Sequence, residues 1–321
     1  MSMGRAEAAA LCAQCPALCD AACPSFVGSG RADHGPRALL LDATRGEVGV
    51  ASLRCNGCGG CAVACEVDVP MPLLLADARS GAAQRAGLWA TPEMLLGLRV
   101  AWERTELPAA RTVLLARCGC GADGGPGEAV LAYAEARGAR GVVLVDGVDC
   151  GRSLLEHGQL DAFDALAAAS GDALRNVRSL VVPSTGCAAA FERVAEHAGL
   201  VAFYVSTLDN WLARFGTIAA APGERVAAVG GCRSGERRPD PILSGTWPPT
   251  PVCCGAYGPL AEVAPQDAQQ AAASVLEAAI AADRRVLHVG DAVCRAHLRR
   301  VAIERDLPVQ VVARVDAIEA D

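Results

Sequence analysis

Eight of the sixteen cysteines lie in two short runs near the amino terminus, and this clustering restricts the fold more than any other feature. Isolated cysteines can serve as small hydrophobic core residues, but four thiols at three-residue spacing need another reason. Disulfides persist in oxidising compartments, whereas clustered cysteines in a reducing compartment bind metal or take part in catalysis. We therefore expect metal at two runs, CAQCPALCDAACP (Cys12, Cys15, Cys19, Cys23) and CNGCGGCAVAC (Cys55, Cys58, Cys61, Cys65).

Charge and hydropathy exclude two classes of partner. The net charge of -7 opposes binding to a nucleic-acid backbone or an anionic membrane surface. No apolar run approaches the roughly 18 residues that a membrane span needs, and the first cysteine comes before a signal-peptide core could form. We expect a soluble cytoplasmic chain without nucleic-acid binding or direct membrane insertion, and its 321 residues suffice for two or three compact units.

The second run has the C-x2-C-x2-C-x3-C spacing by which bacterial ferredoxins hold 4Fe-4S clusters. The first run differs in its middle gap, which holds three residues (Pro16, Ala17 and Leu18) instead of two, so either the ligand loop bulges or Cys19 reaches the iron from an altered position. In ferredoxins the fourth cysteine of each run ligates the other cluster. This rule predicts Cys12, Cys15, Cys19 and Cys65 around cluster 1, and Cys55, Cys58, Cys61 and Cys23 around cluster 2. A structural zinc site is the alternative, but it would leave the pairing of eight cysteines unexplained.

The residues around the two runs extend this likeness. CPSFVGSGRADHGPRALLLDATRGEV and CEVDVPMPLLLADAR resemble the dicluster domain of the iron-sulfur subunits of glycolate oxidase, anaerobic glycerol-3-phosphate dehydrogenase and heterodisulfide reductase, over about residues 8 to 80. The chain departs from that pattern at the spacing before Cys19 and at Glu66, which stands where proline is expected. The resemblance implies a helical domain that carries two 4Fe-4S clusters.

The rest of the chain alternates short β-branched runs with alanine-rich segments, which indicates an α/β fold with a mostly parallel sheet. Residues 71 to 110 form a helical link in which Thr91 is a candidate N-cap. The α/β pattern then occurs twice. In this internal repeat Asp149-Cys150-Gly151 corresponds to Cys253-Cys254-Gly255, and the segment ending at Cys187 corresponds to the one ending at Cys294.

The repeated cysteines fall where strands end and helices begin, the crevice in which open α/β sheets bind ligands. Their order resembles the cysteine-rich CCG domain, which occurs twice in heterodisulfide reductase and related iron-sulfur subunits. The second copy keeps four candidate ligands for an iron-sulfur cluster or zinc: Cys232, Cys253, Cys254 and Cys294. The first copy has four only if two neighbouring cysteines both count: Cys118 and Cys120, with Cys150 and Cys187. An empty, degenerate site is the alternative in either copy.

Three polar residues in the repeats also allow two interpretations. Asp149 and Asp291 offer oxygen ligands, but exposed aspartates at helix N-termini are ordinary caps, and we favour that interpretation for Asp291. His297 lies one turn past Cys294, where we expect it to face solvent rather than a metal.

These patterns predict an α+β multidomain protein: a ferredoxin-type domain with two 4Fe-4S clusters (1-80), a helical connector (81-110) and two CCG-like α/β domains (111-220 and 221-321). No flavin or NAD fingerprint occurs, so we expect a non-catalytic electron-transfer subunit beside a flavoprotein or another catalytic oxidoreductase subunit. One alternative is a heterodisulfide- or thiol-reductase subunit that uses a cluster in the second CCG domain. Another is a zinc-stabilised scaffold of a redox complex.

Overall fold

The computed structural model describes residues 3–105, 107, 112–116, 127–145, 149–215, 226–229 and 253–313. The amino-terminal part is helical, with 3-10 turns at Leu18–Ala22, Ala32–His34 and Val50–Arg54. Its helices are α1 (Arg5–Ala13), α2 (Pro24–Ser29), α3 (Pro36–Thr44), α4 (Gly60–Val63), α5 (Met71–Leu74), α6 (Ala76–Arg85) and α7 (Pro92–Glu103). Proline at the first turn of α2, α3 and α7 fits these starts, because a first-turn residue needs no intrahelical N–H bond. The predicted cap Thr91 is confirmed, since its side chain accepts from the Met94 N–H.

A small apolar core holds this helical part together. Leu39 and Leu40 of α3 are buried with Ala8 of α1 and with Met71 and Leu75 beside α5. Cys12 belongs to this core, and Cys55, Cys61 and Cys65 pack against it. The cysteine-bearing loops therefore surround one side of a hydrophobic cluster, which limits the access of water to their sulfur atoms.

The middle of the chain forms a four-stranded parallel sheet flanked by helices. The strands are β1 (Thr112–Leu115), β2 (Val142–Val145), β3 (Ser179–Val182) and β4 (Tyr204–Thr207), in the order β2-β1-β3-β4. In the register of the central pair, Val113 lies beside Leu180. The helices are α8 (Glu128–Ala136), α9 (Arg152–Glu156), α10 (Leu160–Leu174), α11 (Thr185–Ala198) and α12 (Leu208–Leu212), followed by a 3-10 turn at Ala213–Phe215.

The last part contains a second parallel sheet, in the order β5-β6-β7. Its elements are β5 (Val226–Val229), α13 (Pro259–Val263), α14 (Pro265–Ala281), β6 (Val286–Val289), α15 (Ala292–Glu304) and β7 (Gln310–Val312). The succession β5-β6-β7 repeats β1-β3-β4, with α14 and α15 in the places of α10 and α11. The predicted mixture of helices with parallel sheet is therefore confirmed.

Helices of the amino-terminal half pack directly on both sheet-containing parts. In α7, Trp102 is buried in the core of the first sheet, where its ring meets Phe191 edge-on at 5.9 Å and its Nε1 donates to the Asp149 carbonyl. Helix α2 lies along α14, and the two backbones approach so closely that a Cβ on Gly28 would overlap the Asp267 carbonyl oxygen. These contacts bring the cysteine runs against the end of the second sheet.

Candidate iron-sulfur and thiol sites

Left-handed residues shape both cysteine runs. In the first run the longer gap turns at Ala17, whose φ of 61° is uncommon for a residue with a Cβ. In the second run Gly57 and Gly59 have φ values of 60° and 81°, which glycine adopts without strain. The predicted irregularity of the first loop is thus a single left-handed alanine, followed by the 3-10 turn that carries Cys19.

Cys12 and Cys19 of the first run lie near Cys65, and both also lie near Cys15. Burial, with smaller contributions from the neighbouring charges of Asp20, Cys12, Cys15 and Cys65, raises the pKa of Cys19 to about 12. Burial also raises the pKa of Cys12, with smaller contributions from Cys65 and Cys15 that Arg37 partly offsets. The last cysteine of the second run therefore groups with the first three of the other run.

Cys23 instead lies with the first three cysteines of the second run. Burial raises the pKa of Cys23, and Cys58 and Cys55 add to the shift. Burial likewise raises the pKa of Cys61, followed by the effects of Cys58, Cys55 and Cys23. These four sulfur-bearing residues also line one cavity, together with apolar side chains that include Pro24, Leu39 and Met71.

Both groups fit a thiolate-ligated cluster in the chemistry of their donors. Each offers four thiols, and the cavity of the second group is lined almost wholly by apolar and sulfur-bearing residues. A bound metal deprotonates a coordinating thiol, so these buried thiols can serve as thiolate ligands. Within the described ranges, no three His, Cys, Asp or Glu side chains are arranged to hold one metal ion. A cubane differs from such a site because its four thiolates bind four separate irons.

Two arginine side chains donate hydrogen bonds to the cysteine runs. Arg79 is 3% exposed, and its guanidinium donates to the Cys55 Sγ at 3.4 Å, the Glu156 carbonyl at 3.0 Å and the Pro72 carbonyl at 2.9 Å. Arg37 donates to the Cys15 carbonyl at 2.9 Å. Sequence reasoning missed both. A signal for Arg79 was present, since it shares a face of α6 with Ala76, Ala82 and Ala83, all of them buried.

The adjacent cysteines of VCCG have different neighbours. Cys253 is fully buried against Cys58 of the second run. Cys254 lies beside Cys294, with the two Sγ atoms 3.0 Å apart. Of the four candidate ligands in the second CCG-like copy, the structure brings Cys254 and Cys294 together and places Cys253 against the amino-terminal run. Cys232 lies outside the described residues.

The cysteines of the first copy lie in a hydrophobic core. Cys150 and Cys187 are buried with Phe163, Leu166 and other apolar residues. The Ser184 hydroxyl, at the position matching Asp291, accepts from the Cys187 N–H at 3.0 Å and lies 3.1 Å from the Cys187 Sγ. Cys118 and Cys120 lie outside the described residues.

The two copies share their backbone geometry at these positions. Gly151 and Gly255 are both left-handed, with φ of 71° and 78°, and each faces its own long helix, α10 or α14. Ser184 and Asp291 both cap the following helix. The residues aligned between the two copies therefore occupy equivalent places.

A buried polar network joins the two copies beside Cys294. The Tyr257 hydroxyl lies 2.5 Å from both carboxylate oxygens of Asp291, and the Asp291 Oδ2 also accepts from the Thr185 N–H and hydroxyl. The Arg152 guanidinium stacks on the Tyr257 ring at 4.4 Å and pairs with Glu156 at 3.2 Å. Burial raises the pKa of Tyr257 well above its usual value, and the charge of Asp291 adds to this. The tyrosine is therefore a neutral hydrogen-bond donor at ordinary pH.

Two expectations about this region need correction. Asp291 caps α15 as predicted, but it is buried rather than exposed. His297 was expected to face solvent, yet it is also buried, and its Nε2 lies 3.2 Å from the Ala268 carbonyl. Burial lowers the pKa of His297. His297 is buried because α15 packs against α14, and Asp291 is covered by Tyr257 and Thr185; the helix sequence alone does not reveal these contacts.

No family model matches the chain, and no curated protein or solved structure is significantly similar to it. Among the described residues, no helix has the length and apolar content to cross a membrane.

Proposed function

We propose that the chain is an iron-sulfur electron-transfer subunit with two 4Fe-4S clusters. The observation that carries the proposal is the exchange of fourth cysteines: Cys23 lines one cavity with Cys55, Cys58 and Cys61 of the second run, and Cys65 is close enough to Cys12 and Cys19 to raise their pKa values. This is the arrangement that the ferredoxin rule demands, and simple loops that each bound their own metal would not need it. The likeness to dicluster domains of CCG-type subunits supports the same conclusion.

The bound clusters would supply one-electron transfer, and the chain's residues would hold and insulate them. Cluster 1 would be held by Cys12, Cys15, Cys19 and Cys65, and cluster 2 by Cys23, Cys55, Cys58 and Cys61. Apolar residues around the second group exclude water, and Arg79 donates a hydrogen bond to one of its sulfur atoms. Such hydrogen bonds raise the reduction potential of a cluster because they stabilise the more negative reduced state.

The two cluster sites have different surroundings, which suggests a direction for the electron path. Cluster 2 would lie against the second α/β part, since Cys58 contacts Cys253. Close in sequence to the cluster 1 ligands, the apolar side chains of Leu11, Leu18 and Val67 are exposed. We propose that a flavoprotein or another catalytic oxidoreductase subunit exchanges electrons at the cluster 1 side, and that it carries out the two-electron chemistry.

The test is anaerobic purification or reconstitution, followed by iron, sulfide and zinc analysis and EPR spectroscopy after dithionite reduction. Two clusters predict about eight irons and eight sulfides per chain, whereas a third cluster in the CCG-like part would raise both to about twelve. Cys58→Ser should remove one cluster signal and electron transfer together. The matched control is Cys187→Ser, at a buried cysteine of the first sheet core, which should leave both signals. Zinc without iron would overturn the proposal in favour of a scaffold.

A further inference from the structure

Cys254 and Cys294 form a close pair of thiols in the second α/β part. Their Sγ atoms are 3.0 Å apart, although the residues are separated by 40 positions. Both are nearly inaccessible, with exposures of 2% and 5%. Cys254 precedes the left-handed Gly255, and Cys294 lies in the first turn of α15. The pair is therefore positioned by two separate elements rather than by one flexible loop.

The nearby polar side chains already have other partners. Cys253 packs on Cys58, and the carboxylate of Asp291 accepts bonds from Tyr257, Thr185 and the Cys294 N–H. The ring of His297 meets the Ala268 carbonyl through Nε2 and Arg300 through Nδ1. The Cys254 and Cys294 sulfur atoms contact each other directly, and within the described ranges no three His, Cys, Asp or Glu side chains are arranged around one metal ion.

We propose that Cys254 and Cys294 are a redox-active dithiol that closes reversibly to a disulfide, which rests on the proposed function because the clusters serve as its electron acceptors. Oxidation breaks two S–H bonds, forms one S–S bond, releases two protons to water and delivers two electrons. Two oxidised 4Fe-4S clusters accept one electron each, so the chain itself balances the reaction. The reverse reaction takes two electrons from the reduced clusters and two protons from water.

The connection to the clusters is short. Cys253 touches Cys58, a proposed ligand of cluster 2, and a single peptide unit separates Cys253 from Cys254. The pair therefore lies between the proposed cluster 2, which transfers one electron at a time, and the second sheet. A dithiol at this place would convert two successive one-electron transfers into a two-electron step, and it would serve thiol or hydride chemistry on a partner.

The experiment uses the full-length cluster-loaded chain, held anaerobically at a series of potentials with dye mediators. Each sample is quenched in acid, unfolded, alkylated at free thiols, digested and analysed by mass spectrometry. We expect the Cys254 and Cys294 peptides to lose alkylation together as the potential rises, with a tenfold change in ratio per about 30 mV, the two-electron slope. A Cys254–Cys294 linked peptide should replace them. Cys187 is the internal comparison: it occupies the place of Cys294 in the first copy, and its Sγ lies 3.1 Å from the Ser184 hydroxyl, which cannot form a disulfide.

Single variants sharpen the result. In Cys254→Ser the Cys294 thiol should stay alkylated at every potential, and in Cys294→Ser the Cys254 thiol should do so. Full alkylation of both thiols at all potentials in the unmodified chain would overturn the proposal, and so would iron or zinc that is lost with either variant. EPR spectra of the same samples report the clusters separately. Intact cluster signals without a disulfide therefore reject only the dithiol proposal. A disulfide without cluster signals rejects the proposed electron transfer through the two clusters.

Discussion

Replacing Arg79 with methionine should lower the reduction potential of the proposed cluster 2. The guanidinium is buried and lies 3.4 Å from the Cys55 Sγ, so its charge acts with little screening by water. Methionine keeps a long apolar stem and removes both the charge and the hydrogen bond to sulfur. The reduced cluster carries one more negative charge than the oxidised cluster, so it loses more electrostatic stabilisation when the guanidinium charge is removed.

The size of the shift follows from Coulomb's law. A unit charge about 6 Å from the centre of the added electron, at an effective dielectric constant of about 20, contributes about 3 kcal/mol. With 59 mV for each 1.4 kcal/mol in a one-electron couple, this corresponds to a downward shift on the order of 100 mV. Arg79→Lys should shift the potential less, because the charge remains while the forked geometry is lost.

The assay is a potentiometric titration followed by EPR, which resolves the two clusters in one sample. Arg85→Met is the matched control, since Arg85 lies on the same helix, is exposed, and its guanidinium donates to the Val48 carbonyl. Its replacement should leave both potentials within about 20 mV, because exposed charges are screened. An intact cluster 2 with an unchanged potential in Arg79→Met would refute the reasoning, and so would a shift confined to cluster 1.

Three further predictions concern stability, measured by urea or thermal unfolding. Gly28→Ala should lower the free energy of unfolding by about 1–3 kcal/mol, because the new methyl group would overlap the Asp267 carbonyl. The control Gly97→Ala places its methyl group where no atom lies within contact distance and should not destabilise the protein. Equal effects of the two substitutions would contradict the close packing of α2 on α14. Ala17→Gly should change stability by less than about 1 kcal/mol, since relief of left-handed strain offsets the added chain entropy; a large loss would refute the strain argument. The pKa of the buried His297 is lowered, so the unfolded chain binds more protons than the folded chain, and stability falls as pH drops below about 6.5. His297→Gln should flatten the dependence of stability on pH between pH 5 and 7. An unchanged slope would exclude this histidine as its source.

Local sequence patterns were sufficient for much of the fold. The alternation of strands with helices, the parallel sheet and the Thr91 cap depend on propensities and hydrogen bonds within a few residues, and all three were predicted. The repeat also predicted that Cys254 and Cys294 belong to one site. The corresponding positions of the two copies lie at the same ends of parallel strands. A parallel sheet brings such ends together even when the residues are distant in sequence.

Tertiary packing decided the rest. Adjacent cysteines in VCCG look equivalent in sequence, yet Cys253 meets Cys58 and Cys254 meets Cys294. Arg79 approaches Cys55, and Tyr257 finds Asp291, only because helices from distant segments pack on one another. Spacing along a chain determines which donors a loop can present, because bond geometry limits a short segment. The neighbours that a buried side chain meets depend on how whole elements dock, and that docking is set by the sum of many weak apolar contacts over the full chain.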